Sequence, residues 1–185
     1  MITSTPAPTR PAIRSDGLSA VLVALAATAA AAGIASGGVM YLDRSNVRER
    51  HSADTAAWWP HLGLAILAAA LLLTAAVQRR RSGERGLGLL SPLTRSAARR
   101  VWLTVRTAPH RALLSAPFGA LMLYNVYRAA EQVVAGLDPN FTANAWGGPS
   151  YLGAMACHYL DGALLIAAGG WVVSRLLVRP GGIRS

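Results

Sequence analysis

The sequence has no lysine, a single cysteine and few acidic residues. All 18 of its Lys+Arg residues are arginine, Asp and Glu together number 8, and the net charge is +10. Cys157 has no second cysteine for an intrachain disulfide and belongs to no CxxC motif, so the sequence offers no thiol redox or zinc motif. The absence of lysine and the abundance of alanine indicate a GC-rich coding sequence and favour a bacterial source.

The common catalytic motifs are also missing. The sequence contains no phosphate-binding glycine loop, no GxSxG, no HExxH and no DxD-like acidic cluster. With so few acids, a phosphoryl-transfer or glycosyl-transfer enzyme would need residues that the chain lacks. We therefore expect a protein that is not an enzyme.

Long uncharged runs are what the sequence does have. Hydrophobic residues make up 53% of the chain despite the net charge of +10, because apolar runs alternate with arginine-rich connectors. This segregation is typical of a helical, multi-pass membrane protein. The four runs span about 17–42, 57–78, 112–137 and 151–178, and each exceeds the roughly 20 residues that cross the hydrocarbon of a bilayer. Together they predict a membrane domain over 17–178.

The first run has a competing interpretation as a secretory signal peptide. Residues 1–16 are polar and predict a flexible cytoplasmic tail, and small residues at 33–35 resemble a cleavage site. The run continues past that site to Tyr41 and is longer than the roughly 7–15 residues of a signal core. This length favours an uncleaved anchor, although the sequence leaves cleavage open.

The distribution of arginine predicts the orientation. Cytoplasmic segments of membrane proteins carry the excess of positive charge. Most of the arginines lie in three segments: the tail 1–16, the connector between the second and third runs, and the end of the chain, including the tail 179–185. The sequence therefore predicts an all-α integral membrane four-helix bundle, N-in and C-in, in a bacterial plasma (inner) membrane.

The connector between the second and third runs predicts a basic amphipathic helix over about 91–107. Ser91 can cap a helix that has Pro92 at its first position. On a helical wheel the apolar residues cover one half and several arginines lie just beyond them, as in helices that rest on an anionic membrane surface. We expect contact with the bilayer and with anionic lipids of the inner leaflet. Nucleic-acid binding is not expected, because the positive-inside rule already accounts for the arginines.

Small residues within the runs indicate close helix packing. Gly33 and Gly37 have GxxxG spacing, and Gly169 and Gly170 lie inside the fourth run. Small residues let helix backbones approach closely in lipid. Packing within the bundle is the favoured interpretation, and a face for a homo-oligomer or a membrane-protein partner is the alternative.

Ionisable side chains occupy one end of the runs. Alternating span directions bring five of them toward the outer third of the bundle: His61, Arg128, Glu131, His158 and Asp161. A charged side chain at mid-membrane costs about 3 kcal/mol. The third run, with one arginine and one glutamate, therefore needs polar partners in the bundle or a register that places both at the outer surface.

This polar cluster has several chemical interpretations. His61 and His158, with Glu131 and Asp161, could bind zinc, copper or another divalent transition metal. The two histidines could instead ligate a haem iron from opposite sides, and an intramembrane His and Asp pair could carry protons in a transporter. The favoured interpretation is a structural clamp, because Arg128 and Glu131 are three residues apart and can pair on one helix face.

The outer loop 138–150 combines turn residues with two aromatic side chains, Phe141 and Trp146. Loops of this length are often mobile or functional. We expect the aromatic side chains to lie among lipid headgroups, with a lid over the polar cluster as the alternative.

The expected function is that of a small non-enzymatic integral membrane protein, a subunit or scaffold of a larger bacterial membrane complex. The alternatives are a metal- or haem-binding membrane protein with an outward-facing His/carboxylate site, and a small proton-coupled transporter. All three are compatible with the sequence.

Overall fold

The computed structural model of the chain describes residues 17–82 and 88–179. Within these ranges the chain is helical and has no β-strand, apart from an isolated bridge between Leu18 and Thr94. The all-helical prediction is confirmed. The predicted tails, 1–16 and 179–185, lie outside the described residues except for Arg179.

Six α-helices follow one another in the described ranges: α1 (Ala20–Leu42), α2 (Trp58–Ser82), α3 (Arg95–Thr107), α4 (Pro109–Ala135), α5 (Pro139–Thr142) and α6 (Tyr151–Leu176). Short 3-10 helices precede α2 and α3. Three segments are long and apolar enough to span a membrane: Ala20–Leu42, Ala53–Gln78 and Tyr151–Leu176. The helix α4 has 27 residues but carries charged side chains, and it is not among these three.

Two glycines bring α1 against α4. A Cβ atom at Gly33 would collide with the backbone oxygen of Tyr127, and one at Gly37 would collide with that of Glu131. The later glycine on α1 meets the later residue on α4, so the two helices run in the same direction. Their backbones approach closely at these positions. The GxxxG spacing therefore serves packing within the chain, as favoured from the sequence.

The helix α6 packs on α4 in the opposite direction. The Tyr159 hydroxyl donates to the backbone oxygen of Ala129 at 3.1 Å, while Gly169, further along α6, lies against Met122, earlier in α4. The helix α4 is consequently the central helix, with α1 and α6 against it.

The helix α2 stands apart from these three helices. In the described ranges its substantial helix contacts are with α6, and they include His61 in its first turns. Beyond this point the leucines are largely exposed, including Leu71, Leu72 and Leu73. The described contacts thus form a packed group of α1, α4 and α6 with α2 attached to α6, and the four-helix bundle stays a prediction.

The amphipathic helix α3 begins at Arg95 rather than at Ser91, so the predicted cap was wrong. Thr94 is the N-cap, and its side chain accepts from the backbone N–H of Ala97. The reason is tertiary: Thr94 is extended and pairs with Leu18, which prevents the helix from starting earlier.

The start of α1, the helix α3 and the end of α6 meet at one end of the molecule, which we call the α3 end. Ser19 donates its backbone N–H to the oxygen of Leu93 at 2.8 Å, and Val178 donates to the Thr104 hydroxyl at 2.9 Å. Arg100 donates to the backbone oxygen of Ser174 at 2.7 Å. Both ends of the described chain therefore lie on the same side.

The opposite end, which we call the loop end, is formed by the connector 43–57 and the loop 138–150. The side chain of Asn140 accepts from the N–H of Glu49 at 2.9 Å and donates to the oxygen of Val47 at 2.9 Å. Ala57 donates its N–H to the oxygen of Trp146 at 2.8 Å. These bonds fasten the loop to the start of α2.

Candidate functional site

The five ionisable side chains form separate groups rather than one cluster. His61 of α2 contacts Asp161 of α6, whereas Glu131 pairs with Arg128 on α4 and faces α1. His158 lies beside Arg128 along a cavity between α4, α6 and the loop. All five side chains lie toward the loop end of their helices, divided between different helix interfaces.

His61 uses both ring nitrogens in hydrogen bonds. Its Nδ1 lies 2.7 Å from the backbone oxygen of Ala57, and its Nε2 lies 3.1 Å from Oδ2 of Asp161. A carbonyl oxygen can only accept, so Nδ1 carries a proton. A hydrogen bond at Nε2 needs a second proton, carried either by the imidazole or by the carboxyl group. The pair is neutral overall in either state.

The loop 138–150 reaches this pair through Trp146. The Trp146 ring and the His61 ring are tilted by 47° with centroids 5.6 Å apart. Trp146 nevertheless remains 60% exposed. The loop therefore both contacts the His61–Asp161 pair and presents an aromatic surface outward.

Glu131 is buried among donors from two helices. It is 4% exposed, and its Oε1 accepts from the Ser36 hydroxyl at 2.7 Å and from the Tyr127 hydroxyl at 2.8 Å. The Arg128 guanidinium bonds Oε2. The sequence left two possibilities for the charges of the third run: polar partners on neighbouring helices, or a register at the outer surface. For Glu131 the structure shows polar partners.

Of the four proposed metal ligands, His61 and Asp161 are in contact, whereas Glu131 and His158 belong to other groups. Within the described residues there is no group of three or more His, Cys, Asp or Glu side chains placed to hold a metal ion. Both nitrogens of His61 are engaged, so a metal or haem iron could bind there only by replacing a hydrogen bond. The metal and haem hypotheses for His61, His158, Glu131 and Asp161 stay predictions, and the geometry favours the clamp.

A cavity of about 310 Å³ lies between the last turns of α4, the first turns of α6 and the loop. Its lining includes Arg128, Gln132, Phe141, Trp146 and His158. Sequence reasoning found all of these except Gln132, which is uncharged. Gln132 is 7% exposed, and its Oε1 is buried with no hydrogen-bond partner in the described part of the chain. The only signal in the sequence was an amide directly after Glu131, at the polar end of an apolar run.

Comparisons with protein-family models, with curated proteins and with solved structures give no match for this chain. Its function is therefore inferred from the residues described above.

Proposed function

We propose that this chain is a small, non-enzymatic integral membrane protein of a bacterial plasma membrane, a subunit or scaffold of a larger membrane complex. Its termini lie in the cytoplasm, so the arginine-rich α3 end faces inward and the loop end faces outward. Both ends of the described chain lie on one side of the molecule, which supports this arrangement when α4 crosses the membrane together with the three apolar segments of spanning length.

The proposal rests mainly on α2, which has few contacts with the other described helices. The central helix α4 has neighbours on two sides, whereas α2 is exposed over most of its length. A Cβ atom added at Gly63 would meet nothing within 4 Å, and alanines recur along the same helix. Small residues are the usual contact surface between helices in lipid. We infer that a helix of a partner membrane protein packs along α2.

The polar side chains support a structural rather than a catalytic role. The His61–Asp161 pair joins α2 to α6, and the bond from Ser36 to Glu131 joins α1 to α4. The carboxylates of Asp161 and Glu131 contact His61 and Arg128, respectively. Hydrogen bonds of this kind hold membrane helices together.

The exposed face of α3 supports its placement on the inner membrane surface. Val101, Trp102 and Val105 are exposed, and the Arg106 guanidinium lies 4.2 Å from the centre of the Trp102 ring. Apolar side chains beside arginines suit the boundary between acyl chains and anionic headgroups.

A proton-coupled transporter is the second candidate, and one observation favours it. The His61–Asp161 contact shares a proton between two helices, as an intramembrane proton carrier requires. The transporter account predicts a pH-dependent flux in proteoliposomes that disappears in Asp161→Asn. The scaffold account predicts no such flux from the wild-type chain.

The test of the scaffold proposal is capture of the partner from native membranes. Extraction in mild detergent should yield a complex of larger mass than the chain and its detergent. Gly63→Trp should abolish that complex, because the indole would occupy the contact surface of α2. Gly119→Trp is the matched control, since a Cβ at Gly119 also meets nothing within 4 Å. A monodisperse lone species from native membranes would contradict the proposal, and a complex of identical chains would replace the partner with a second copy.

A further inference from the structure

The cavity of about 310 Å³ between α4, α6 and the loop 138–150 has no aspartate or glutamate in its lining among the described residues. A second cavity at the loop end, beside the connector 43–57, is lined by both signs of charge, with Asp43, Glu49 and Asp138 among its residues. The acid-free lining therefore belongs to the first cavity and not to the loop end as a whole. An ammonium group would find no carboxylate there, whereas an anion would meet no like charge.

Three side chains of this lining carry N–H groups, and each comes from a different element. Arg128 of α4 is 28% exposed and bonds Glu131 through one nitrogen, and a guanidinium has five N–H groups. Asn144 of the loop is exposed, and its amide oxygen accepts from the N–H of Ser52 at 3.0 Å. The amide NH₂ of Asn144 and the ring of His158 on α6 make no hydrogen bond within the described part of the chain. The cavity thus offers donors from three sides.

Glu131 does not cancel the preference for an anion. Its side chain is 5% exposed, and it is not part of the lining. Its Oε1 is occupied by the hydroxyls of Ser36 on α1 and of Tyr127. Arg128 is therefore the accessible member of the ion pair. Guanidinium N–H groups form strong charge-assisted bonds to phosphate oxygens, and amide and imidazole N–H groups can add to them.

We propose that this cavity binds a phosphate diester that carries no ammonium group, with Arg128, Asn144 and His158 as the donors. The cavity lies at the loop end of apolar segments of spanning length, where lipid headgroups lie. Its volume is at the lower limit of the roughly 300–1,000 Å³ of ligand pockets, which suits a headgroup rather than a whole lipid. The headgroup of phosphatidylglycerol meets these requirements. This inference shares with the proposed function only the placement in a membrane and needs no partner protein.

The experiment measures binding of dioctanoyl phosphatidylglycerol to the purified full-length chain by native mass spectrometry. Because α3 is also expected to contact anionic lipids, substitutions at the loop end isolate the site. Asn144→Asp places a carboxylate in the lining and keeps an oxygen for the N–H of Ser52. Asn46→Asp is the matched control, since Asn46 is exposed in the connector and outside the lining.

We expect Asn144→Asp to lose one bound phosphatidylglycerol at a concentration where the wild type and Asn46→Asp retain it. The like charge should weaken the site at least about tenfold. Equal binding by the two variants would overturn the proposal, whatever the outcome of partner capture.

Two further lipids test the chemistry of the ligand. Dioctanoylglycerol lacks the phosphate, and dioctanoyl phosphatidylethanolamine adds an ammonium group that the new carboxylate can pair with. Neither should bind more weakly to Asn144→Asp than to Asn46→Asp. A loss of dioctanoylglycerol equal to that of phosphatidylglycerol would overturn recognition of the phosphate. An equal loss of phosphatidylethanolamine would overturn the selection against an ammonium group.

Two substitutions test the other donors. Arg128→Gln should weaken phosphatidylglycerol binding by about tenfold, because a hydrogen bond to a charged group is lost. This variant also leaves Glu131 without its guanidinium, so His158→Phe provides a second test if Arg128→Gln does not fold. His158→Phe keeps an aromatic ring without N–H groups and should weaken phosphatidylglycerol but not dioctanoylglycerol. Unchanged phosphatidylglycerol binding in either folded variant would overturn the assigned site.

Soluble glycerophosphoglycerol distinguishes the two sources of the phosphate diester. If it competes with phosphatidylglycerol at similar concentration, the site recognises the free diester. If it fails to compete while the lipid binds, the source is the membrane. Both results support the proposed recognition, and failure of the lipid and of the soluble compound to bind would overturn it.

Discussion

His61 on α2 and Asp161 on α6 share a hydrogen bond of 3.1 Å between Nε2 and Oδ2, although 100 residues separate them in the chain. It joins α2 to the packed helices at a point where few other contacts do so. The attachment of the proposed partner-binding helix therefore depends strongly on a single polar pair.

Breaking this pair should loosen α2. His61→Leu or Asp161→Leu alone should lower the free energy of unfolding by about 1–2 kcal/mol, as for the stronger interhelical hydrogen bonds measured in membranes. The double substitution should cost less than the sum, because neither group is then left unpaired. Unfolding in a denaturing detergent titration gives these values, with the exposed His110→Leu as control. Strictly additive losses would mean that the two side chains do not interact.

Alanine at Gly33 or Gly37 should separate α1 from α4. Each new methyl group would collide with a backbone oxygen of α4, so we expect a loss of about 1–3 kcal/mol in the free energy of unfolding. Gly38→Ala, one residue along the same helix, places its methyl in open space. It should be neutral or slightly stabilising, because alanine favours helix over glycine.

The same detergent titration compares the three glycine variants. Equal stability of Gly37→Ala and Gly38→Ala would contradict the close α1–α4 contact.

Arg100 should hold the end of α6 in place. It donates to the backbone oxygens of Ser174 and Leu177 at 2.7 and 3.1 Å, satisfying carbonyls that a helix end leaves unpaired. Arg100→Ala should therefore increase amide hydrogen exchange in the last turn of α6. Arg99→Ala removes an exposed neighbouring charge and serves as control. Equal exchange in the two variants would show that Arg100 has no such role.

The proposed orientation predicts which residues a membrane-impermeant thiol reagent reaches in intact cells. The sole native cysteine, Cys157, is buried, so a Cys157→Ser background gives a clean readout. Asp54→Cys at the loop end should react from outside, and Thr107→Cys at the α3 end should react only after the membrane is permeabilised. The reverse labelling pattern would mean that the α3 end faces outward and would contradict the proposed orientation.

The main helices could be predicted from the sequence because uncharged runs of about 20 residues have few other stable structures in a membrane. The start of α3 could not, since the choice of Thr94 over Ser91 depends on a bridge to Leu18 that local capping rules do not contain. The apolar pattern of α2 is the same whether it contacts lipid, another span or a partner. Its separation from the packed helices therefore became visible only in the structure.

The sequence predicted which side chains form the candidate site, but not which of them contact one another. Helical spacing places Arg128 and Glu131 on one face, and they do interact. Spacing does not say which neighbouring helix each face meets, so the separation of His61 and Asp161 from Glu131 was not foreseen. Gln132 carries no charge and belongs to no recognised spacing, so nothing in the sequence singled it out.

The most direct test of the central claim is site-specific photo-crosslinking from α2 in native membranes. A benzophenone amino acid replaces Ile66 on α2 or, as control, Ile34 on α1; these side chains are 63% and 51% exposed and lie equally far along the chain from the loop-end bounds of their helices. We predict a discrete protein adduct from position 66 and none from position 34. No protein adduct from position 66, or equal adducts from both positions, would contradict the account of α2 as the partner-binding helix.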